Sequence, residues 1–348
     1  MMRALFLEKP GRPPVLAVKE TPIPSPGPGE VLVEVAACGF CHHDLLVMAG
    51  VLRRGVKPGV ILGHEISGIV AQVGEGARLV EKGDRVVSLL TNACGQCERC
   101  LNGREHRCLH GQGIGHGRDG GFAEWVVLSE FSLVKIPESI DLTGAALLAC
   151  PMGVALQAVQ HVAEVGPGNI TVVTGAGGGL GIHALQIAVA LGSRVLAVTT
   201  SPDKLGRFAP LGAEEVLHTG ELDFSEMVLA LTEDLGAEVV IDTVGSVLFP
   251  SSLRSLAQFG RLVLLGEVAG KPVELNLAEI IFRDAQVLGS SGVSRSVIEQ
   301  VADMVSSGQV KPVVGGSMPL EEAARAFDLL SGRSVLGRLV LTAPRGPR

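Results

Sequence analysis

The 348 residues contain no tyrosine and one tryptophan, and aromatic residues make up only 3% of the chain. Any mechanism that needs a tyrosine acid or nucleophile is thereby excluded, including the tyrosine–lysine chemistry of short-chain dehydrogenases. A basic excess is missing too. The net charge of -7 leaves no positive face of the kind that neutralises phosphates along a nucleic acid. Charged residues are only 19%, and a 47% hydrophobic content places the chain among well-buried globular proteins. No apolar stretch reads as a membrane span: residues 142–163 and 165–193 lack charge, but Pro151, Gln157, His161 and repeated glycines interrupt them. Arg3, Glu8 and Lys9 break the N-terminal segment before a secretory apolar region can form, so a cytoplasmic location is expected. There is no internal repeat.

What the chain has in excess is glycine, 46 residues, and clustered cysteine, seven in all. The length predicts two or three domains. Up to about residue 140 the texture is short β-rich runs: EVLVEVAAC (30–38), VILGHEISGIVAQVG (60–74), KGDRVVSLL (82–90) and GFAEWVVLS (121–129). These predict an antiparallel, barrel-like domain. Beyond it, ITVVTG (170–175), RVLAVT (194–199), EEVLH (214–218), EVVIDTVG (238–245) and RLVLLG (261–266) alternate with helix-like segments such as IHALQIAVALG (182–192). That alternation predicts an α/β domain with a doubly wound parallel sheet. Residues 295–308 and 320–331 read as helices, and GRLVLT (337–342) as a closing strand.

TGAGGGLGIHALQIA (174–188) sets a glycine cluster between an apolar strand and a helix, where bare N–H groups and the helix dipole can hold a pyrophosphate. Gly175, Ala176, Gly178, Gly179, Leu180 and Gly181 are the candidate cradle, with Ala176 at the first glycine position of the dinucleotide fingerprint. About 20 residues on, where an acidic residue would favour NAD, stand Thr199, Thr200 and Ser201, with Lys204 and Arg207 close behind. Hydroxyls do not repel a 2′-phosphate, so the reading leans to NADP over NAD.

CGQCERCLNGREHRC (94–108) supplies Cys94, Cys97, Cys100 and Cys108, four thiolates able to close a tetrahedral zinc shell with no open position. His106 and His110 lie nearby as less favoured substitutes. A catalytic zinc needs about three ligands and an open place, and the candidates are Cys41 in ACGFCHHDLL, His64 in GHE and Cys150 in LLACPMG. Taken singly, each reads equally as a buried thiol or a core histidine. Cys38 is left over as a small buried hydrophobe.

In the order and spacing of these motifs the whole chain resembles the zinc-containing alcohol dehydrogenases of the medium-chain dehydrogenase/reductase superfamily. The resemblance implies a GroES-like β-barrel catalytic domain carrying the structural-zinc lobe over 1–151, a Rossmann dinucleotide-binding domain over 152–290, and a return to the catalytic domain over 291–348. It implies one catalytic and one structural zinc, with Cys41, His64 and Cys150 as catalytic ligands and Glu65 as an exchanging ligand. Asp44 would then orient the zinc histidine, while His42 and Arg338 would meet cofactor phosphates. The resemblance further implies an alcohol or carbonyl substrate, a homodimer or homotetramer, and an interface that could fall in the apolar 261–292 region. Three positions depart from the pattern. His43 stands where relatives begin the proton relay with a hydroxyl, Leu46 where many continue it with histidine, and Val154 where many have threonine against the nicotinamide. His43 is therefore the expected proton shuttle, with pocket shaping or a cofactor phosphate as its other reading. The departures keep a second activity open: an enoyl reductase of the same fold, acting on a 2-alkenal or enoyl-CoA.

Overall fold

The run EVLVEVAAC lies within the strand Glu30–Phe40, and Val31, Leu32, Val33 and Val35 are all buried, so both faces of this strand are covered. Its burial follows from its position in the computed structural model, which describes residues 1–220 and 223–343. Glu30–Phe40 pairs antiparallel with Glu65–Val73, Trp125–Ser129 and Arg338–Thr342. The sheet runs, in spatial order, Val314–Pro319, Arg338–Thr342, Glu30–Phe40, Glu65–Val73, Arg85–Ser88 and Leu133–Lys135. Its pairs are antiparallel except Val314–Pro319 with Arg338–Thr342. Leu5, Met48, Leu62, Ile66, Phe122 and Leu128 fill the space against it, with Phe40 edge-on to Phe122 at 5.5 Å between centroids. Each such side chain contributes about 1.5–3 kcal/mol by leaving water. The helices before residue 140 are short, His42–Met48 and Glu98–Leu101, while Arg295–Ser306 runs for 12 residues. At Leu148–Gly153 the helical turn is widened, the Met152 N–H bonding to the Leu147 carbonyl five residues back. Pro151 has no N–H to continue a tighter ladder.

This first compact unit comprises Met1–Gly153, Gly292–Gly308 and the chain from Val314 onward; the second comprises Val154–Ser291 and Gln309–Val313. The second is a six-stranded sheet, every pair parallel, in the order Glu215–His218, Arg194–Thr199, Ile170–Val173, Ala237–Asp242, Leu256–Leu264, Gln286–Gly289. The order reverses at Ile170–Val173, which is where open α/β sheets leave a crevice for ligands. Val172, Val173, Val240, Ile241, Leu262 and Val263 are fully buried, as the uninterrupted apolar runs of a two-sided parallel sheet require. The helix Gly179–Ala190 starts three residues earlier than its apolar periodicity suggests. The segment 320–331 enters its helix through the tight turn Leu320–Glu322 before Ala323–Ser331.

The sequence reading assigns everything after residue 290 to the catalytic domain, and the structure corrects this for Gln309–Val313. Side chains on the Gly179–Ala190 helix account for it. Gln186 exchanges two hydrogen bonds with the Lys311 backbone, at 3.0 and 3.1 Å, and His183 Nε2 accepts from the Val313 N–H at 2.9 Å. The His183 Nδ1–H donates to the Gly179 carbonyl at 2.6 Å, so both ring nitrogens are used. Among the described residues, no helix is long and apolar enough to cross a membrane.

Candidate active site and metal centres

Cys41 is the N-cap of the His42–Met48 helix, with its backbone extended at φ −103°, ψ 157°. Its N–H donates to Asp44 Oδ2 at 2.8 Å, and the other carboxylate oxygen of Asp44 receives His64 Nδ1–H at 3.2 Å. Because an ionised carboxylate can only accept, the His64 proton is held on Nδ1 and the Nε2 lone pair is left for a metal. Asp44 is 1% exposed, so one buried side chain fixes both the helix start and the histidine tautomer.

Four ligand groups converge in the first unit: Cys41, His64, Glu65 and Cys150, all buried, with their ligand atoms within 4.8 Å of one another. The two thiols are 3.9 Å apart and His64 Nε2 is 3.9 Å from Glu65 Oε1. Neither oxygen of Glu65, which is fully buried, has a hydrogen-bond partner, and Arg338 Nε sits 3.2 Å from Oε2. A zinc–sulfur bond of about 2.3 Å in a tetrahedral shell puts two thiolates about 3.8 Å apart, so this donor set fits zinc, with Glu65 as an oxygen in reserve. The charges agree. The hydrogen bond from Cys150 lowers the Cys41 thiol well below its usual range and raises Cys150 well above it. Burial raises Glu65 to about 8 against the pull of Arg338. For His64, burial opposes the charge, but Asp44 and then Cys41 override it and raise the group from its usual value.

Arg338, expected to meet a cofactor phosphate, is 4% exposed and lies against this cluster. His42 is half-buried, and burial lowers it. His43 stands edge-on to His64 with ring centroids 5.1 Å apart, and burial lowers it as well. On its other side lies His116, which the sequence reading missed, with ring centroids 5.1 Å apart and His43 Nε2 3.4 Å from His116 Nδ1. A histidine between glycines in GIGHGRDGG offered no sign of this beyond the glycines themselves.

The second cluster is local. Cys94, Cys97, Cys100 and Cys108 bring their sulfurs within 4.8 Å of one another, with pairs at 3.5, 3.5 and 3.8 Å, again the spacing of a zinc tetrahedron. Backbone N–H groups of Leu109 and Cys100 lower Cys97 to about 6, while burial pushes Cys100 up to about 12. His106 and His110 are not among these ligands. Cys38 is fully buried outside both clusters.

In the second unit the glycine turn follows the strand Ile170–Val173. Gly175 takes φ +59°, Ala176 N–H bonds to the Val198 carbonyl at 3.0 Å, and Gly178 caps the helix Gly179–Ala190. The first N–H groups of that helix, on Gly179, Leu180 and Gly181, have no intrahelical acceptor, an arrangement that suits an anion. A Cβ on Gly181 would come within 2.3 Å of the Gly175 carbonyl oxygen, so only glycine lets the helix approach the turn. Thr199 is buried, its hydroxyl accepting from Ser201 N–H at 3.1 Å, and Thr200 is exposed. Lys204 is 6% exposed and lies over Gly177, its Nζ 3.6 Å from where a Cβ would stand. Val154 is buried at the start of this unit.

Residues 27–138 match the alcohol dehydrogenase GroES-like domain family, and residues 179–307 the zinc-binding dehydrogenase family. The acryloyl-coenzyme A reductase of Sulfurisphaera tokodaii is 34% identical over 98% of this chain and 99% of its own. That of Metallosphaera sedula is 37% identical over 93% and 96%. Among solved structures, one titled NAD-dependent alcohol dehydrogenase superposes with a TM-score of 0.91 at 37% identity, covering 99% of this chain and all of the other.

Proposed function

The chain belongs to the zinc-type alcohol dehydrogenase family of the medium-chain dehydrogenase/reductase superfamily and is an oxidoreductase, and on that premise we propose that it transfers hydride between NADP(H) and an alcohol or carbonyl substrate. The observation that carries this reading is the buried Cys41–His64–Cys150 donor set, two soft sulfurs and a histidine whose free nitrogen faces them. When bound, zinc there supplies a Lewis acid for the substrate oxygen and the dinucleotide supplies or accepts the hydride. Cys41, His64 and Cys150 hold the metal, Glu65 offers it an alternative oxygen, and Asp44 keeps His64 in its ligating tautomer. Arg338 offsets the negative charge the thiolates bring into a buried space. His43 holds and passes the proton that the substrate oxygen gains or loses, and His42 and Arg338 remain the candidates for cofactor phosphate. The turn from Gly175 to Gly181 takes the pyrophosphate, a hydroxyl at Thr199 leaves room for a 2′-phosphate, and Lys204 adds positive charge. The cysteine quartet 94–108 holds a second, structural zinc.

A second reading is favoured by the two relatives named acryloyl-coenzyme A reductase. In it the same oxygen site polarises a conjugated thioester carbonyl and hydride goes to the carbon–carbon double bond; His43, Leu46 and Val154 are the positions that depart from the alcohol pattern. Both readings are tested with one α,β-unsaturated aldehyde, supplied with each reduced nicotinamide in parallel and followed by product identification, and with acryloyl-CoA alongside. An allylic alcohol is expected; a saturated aldehyde together with turnover of acryloyl-CoA overturns the first reading in favour of the second. The faster nicotinamide decides the cofactor. A homodimer belongs to the same proposal: Leu277, Ile281 and Phe282 are exposed next to the edge strand Gln286–Gly289, whose open hydrogen-bonding side suits a second copy. Light scattering that gives a monomer would remove that part. Zinc ligation by free thiols and use of a nicotinamide pool suit a reducing compartment, so the reading includes a cytoplasmic location.

A further inference from the structure

His116 sits over a glycine in a closed turn. Its imidazole lies on the bare α-carbon of Gly113, where an added Cβ would stand 1.8 Å from Cε1 and 2.0 Å from Nε2. The turn beneath is closed by Gly117 N–H and Arg118 N–H to the Gly113 carbonyl, at 2.8 and 3.0 Å, and by Gly115 N–H to the Arg118 carbonyl at 2.8 Å. Lys57 N–H holds the His116 carbonyl at 2.7 Å. The same loop is tied to the segment leading into His64, through Gly120 N–H to Ile61 and Gly121 N–H to Gly63, both 2.8 Å. So the main chain that carries the ring is held on three sides, and the ring, resting on Gly113, meets His43 Nε2 at 3.4 Å. Burial and the neighbouring His43 push His116 down to about 4, which leaves it neutral, with one N–H and one lone pair. One N–H···N bond across that distance couples the two rings: with His116 Nδ1 as donor, His43 carries its proton on Nδ1, and with His43 Nε2 as donor, His43 carries it on Nε2.

We propose that His116 is a positioning residue: it locks His43 in one rotamer and one tautomer beside the Cys41–His64–Cys150 cluster, a role that rests on the reading of His43 as the group that passes the proton. Two variants remove the lock by different routes, His116→Ala by deleting the ring and Gly113→Ala by filling its seat. His116→Asn is the conservative control, because its amide occupies the place of Nδ1. The zinc-loaded full chain is followed by nitrogen-15 NMR of the His43 ring, assigned by difference with His43→Gln, and by steady-state kinetics. The expected parent spectrum shows one His43 tautomer. In His116→Ala and Gly113→Ala that signal should average between tautomers and kcat should fall about tenfold, with KM for the nicotinamide and zinc content unchanged, while His116→Asn restores both readouts. An unchanged His43 signal with kcat within about twofold of the parent, loss of zinc in step with activity, or an Asn variant as impaired as Ala would overturn the proposal. If the parent turns over no substrate, the functional reading fails and the tautomer signal still decides the role of His116.

Discussion

Replacing Asp44 by asparagine keeps the shape of the side chain and removes one of its two acceptors. In the native site the two carboxylate oxygens each receive a donor, Cys41 N–H at 2.8 Å and His64 Nδ1–H at 3.2 Å. An amide has one oxygen, so its NH2 must face one of those donors. If the oxygen keeps Cys41, the NH2 turns toward His64, whose proton then moves to Nε2, and the lone pair leaves the metal cluster. If the oxygen keeps His64, the N–H of Cys41, a residue 7% exposed, is stranded without a partner. The first outcome lowers metal affinity by about 10–100-fold, or about 1.4–2.7 kcal/mol. The second costs about 1–3 kcal/mol of stability for a buried donor without a partner. Chelator competition on the zinc-loaded chain separates the two sites, and thermal unfolding of loaded and stripped protein reads the rest. In Asp44→Asn the four-cysteine site should keep its affinity while the other weakens or the melting temperature drops. Native competition at both sites with a native melting temperature would refute the assignment of Asp44 as the group that orients His64.

Gly181→Ala drives a methyl to 2.3 Å from the Gly175 carbonyl oxygen and 2.8 Å from Ala176 Cα, both backbone, so the helix must back away at a cost of about 1–3 kcal/mol; nucleotide titration should show weaker binding with zinc content intact. Cys100→Ser should remove the ion of the cysteine lobe alone, halving the metal counted by mass spectrometry and lowering the melting temperature, and full metal content would contradict the shared site. Glu267 is held at about 2, burial opposing and the N–H groups of Ser246, Gly270 and Ala269 with the Ser246 hydroxyl prevailing. Because the folded value lies below the ordinary 4.5, its contribution is complete above that pH and is lost as pH falls toward 2. The stability gap between the parent and Glu267→Gln should therefore close over that interval, and a gap independent of pH would show that Glu267 is not held ionised by the loop.

Where function depends on neighbours in sequence, the residues were readable directly. The cysteine quartet falls within fifteen positions, and the strand–glycine–helix order around Gly175–Gly181 describes its own geometry. Cys41, His64 and Cys150 were different: nothing in each one's surroundings marks it, and only the likeness of the whole chain to a family joined them. Arg338 is expected at phosphate from the likeness alone, and its burial beside Glu65 is a tertiary fact that a strand end in the sequence does not show. His116 and Gln309–Val313 escaped for a common reason. One is seated by the absence of a side chain at Gly113, the other by side chains gripping backbone, and neither leaves a periodic trace.

The two metal clusters differ in how much chain they must gather. Sulfurs of the quartet are separated by at most 14 positions, whereas Cys41 and Cys150 lie 109 apart. Closing the longer loop costs about 1.8 kcal/mol more in chain entropy, before any packing is formed to hold it. During synthesis the quartet can close once Cys108 has emerged, with little else folded, while the buried cluster must wait until Cys150 has been made and the sheet that carries His64 has assembled. Metal loading thus acquires an order, lobe first and reaction centre last, and a nascent chain becomes chemically competent only after most of its catalytic unit is in place.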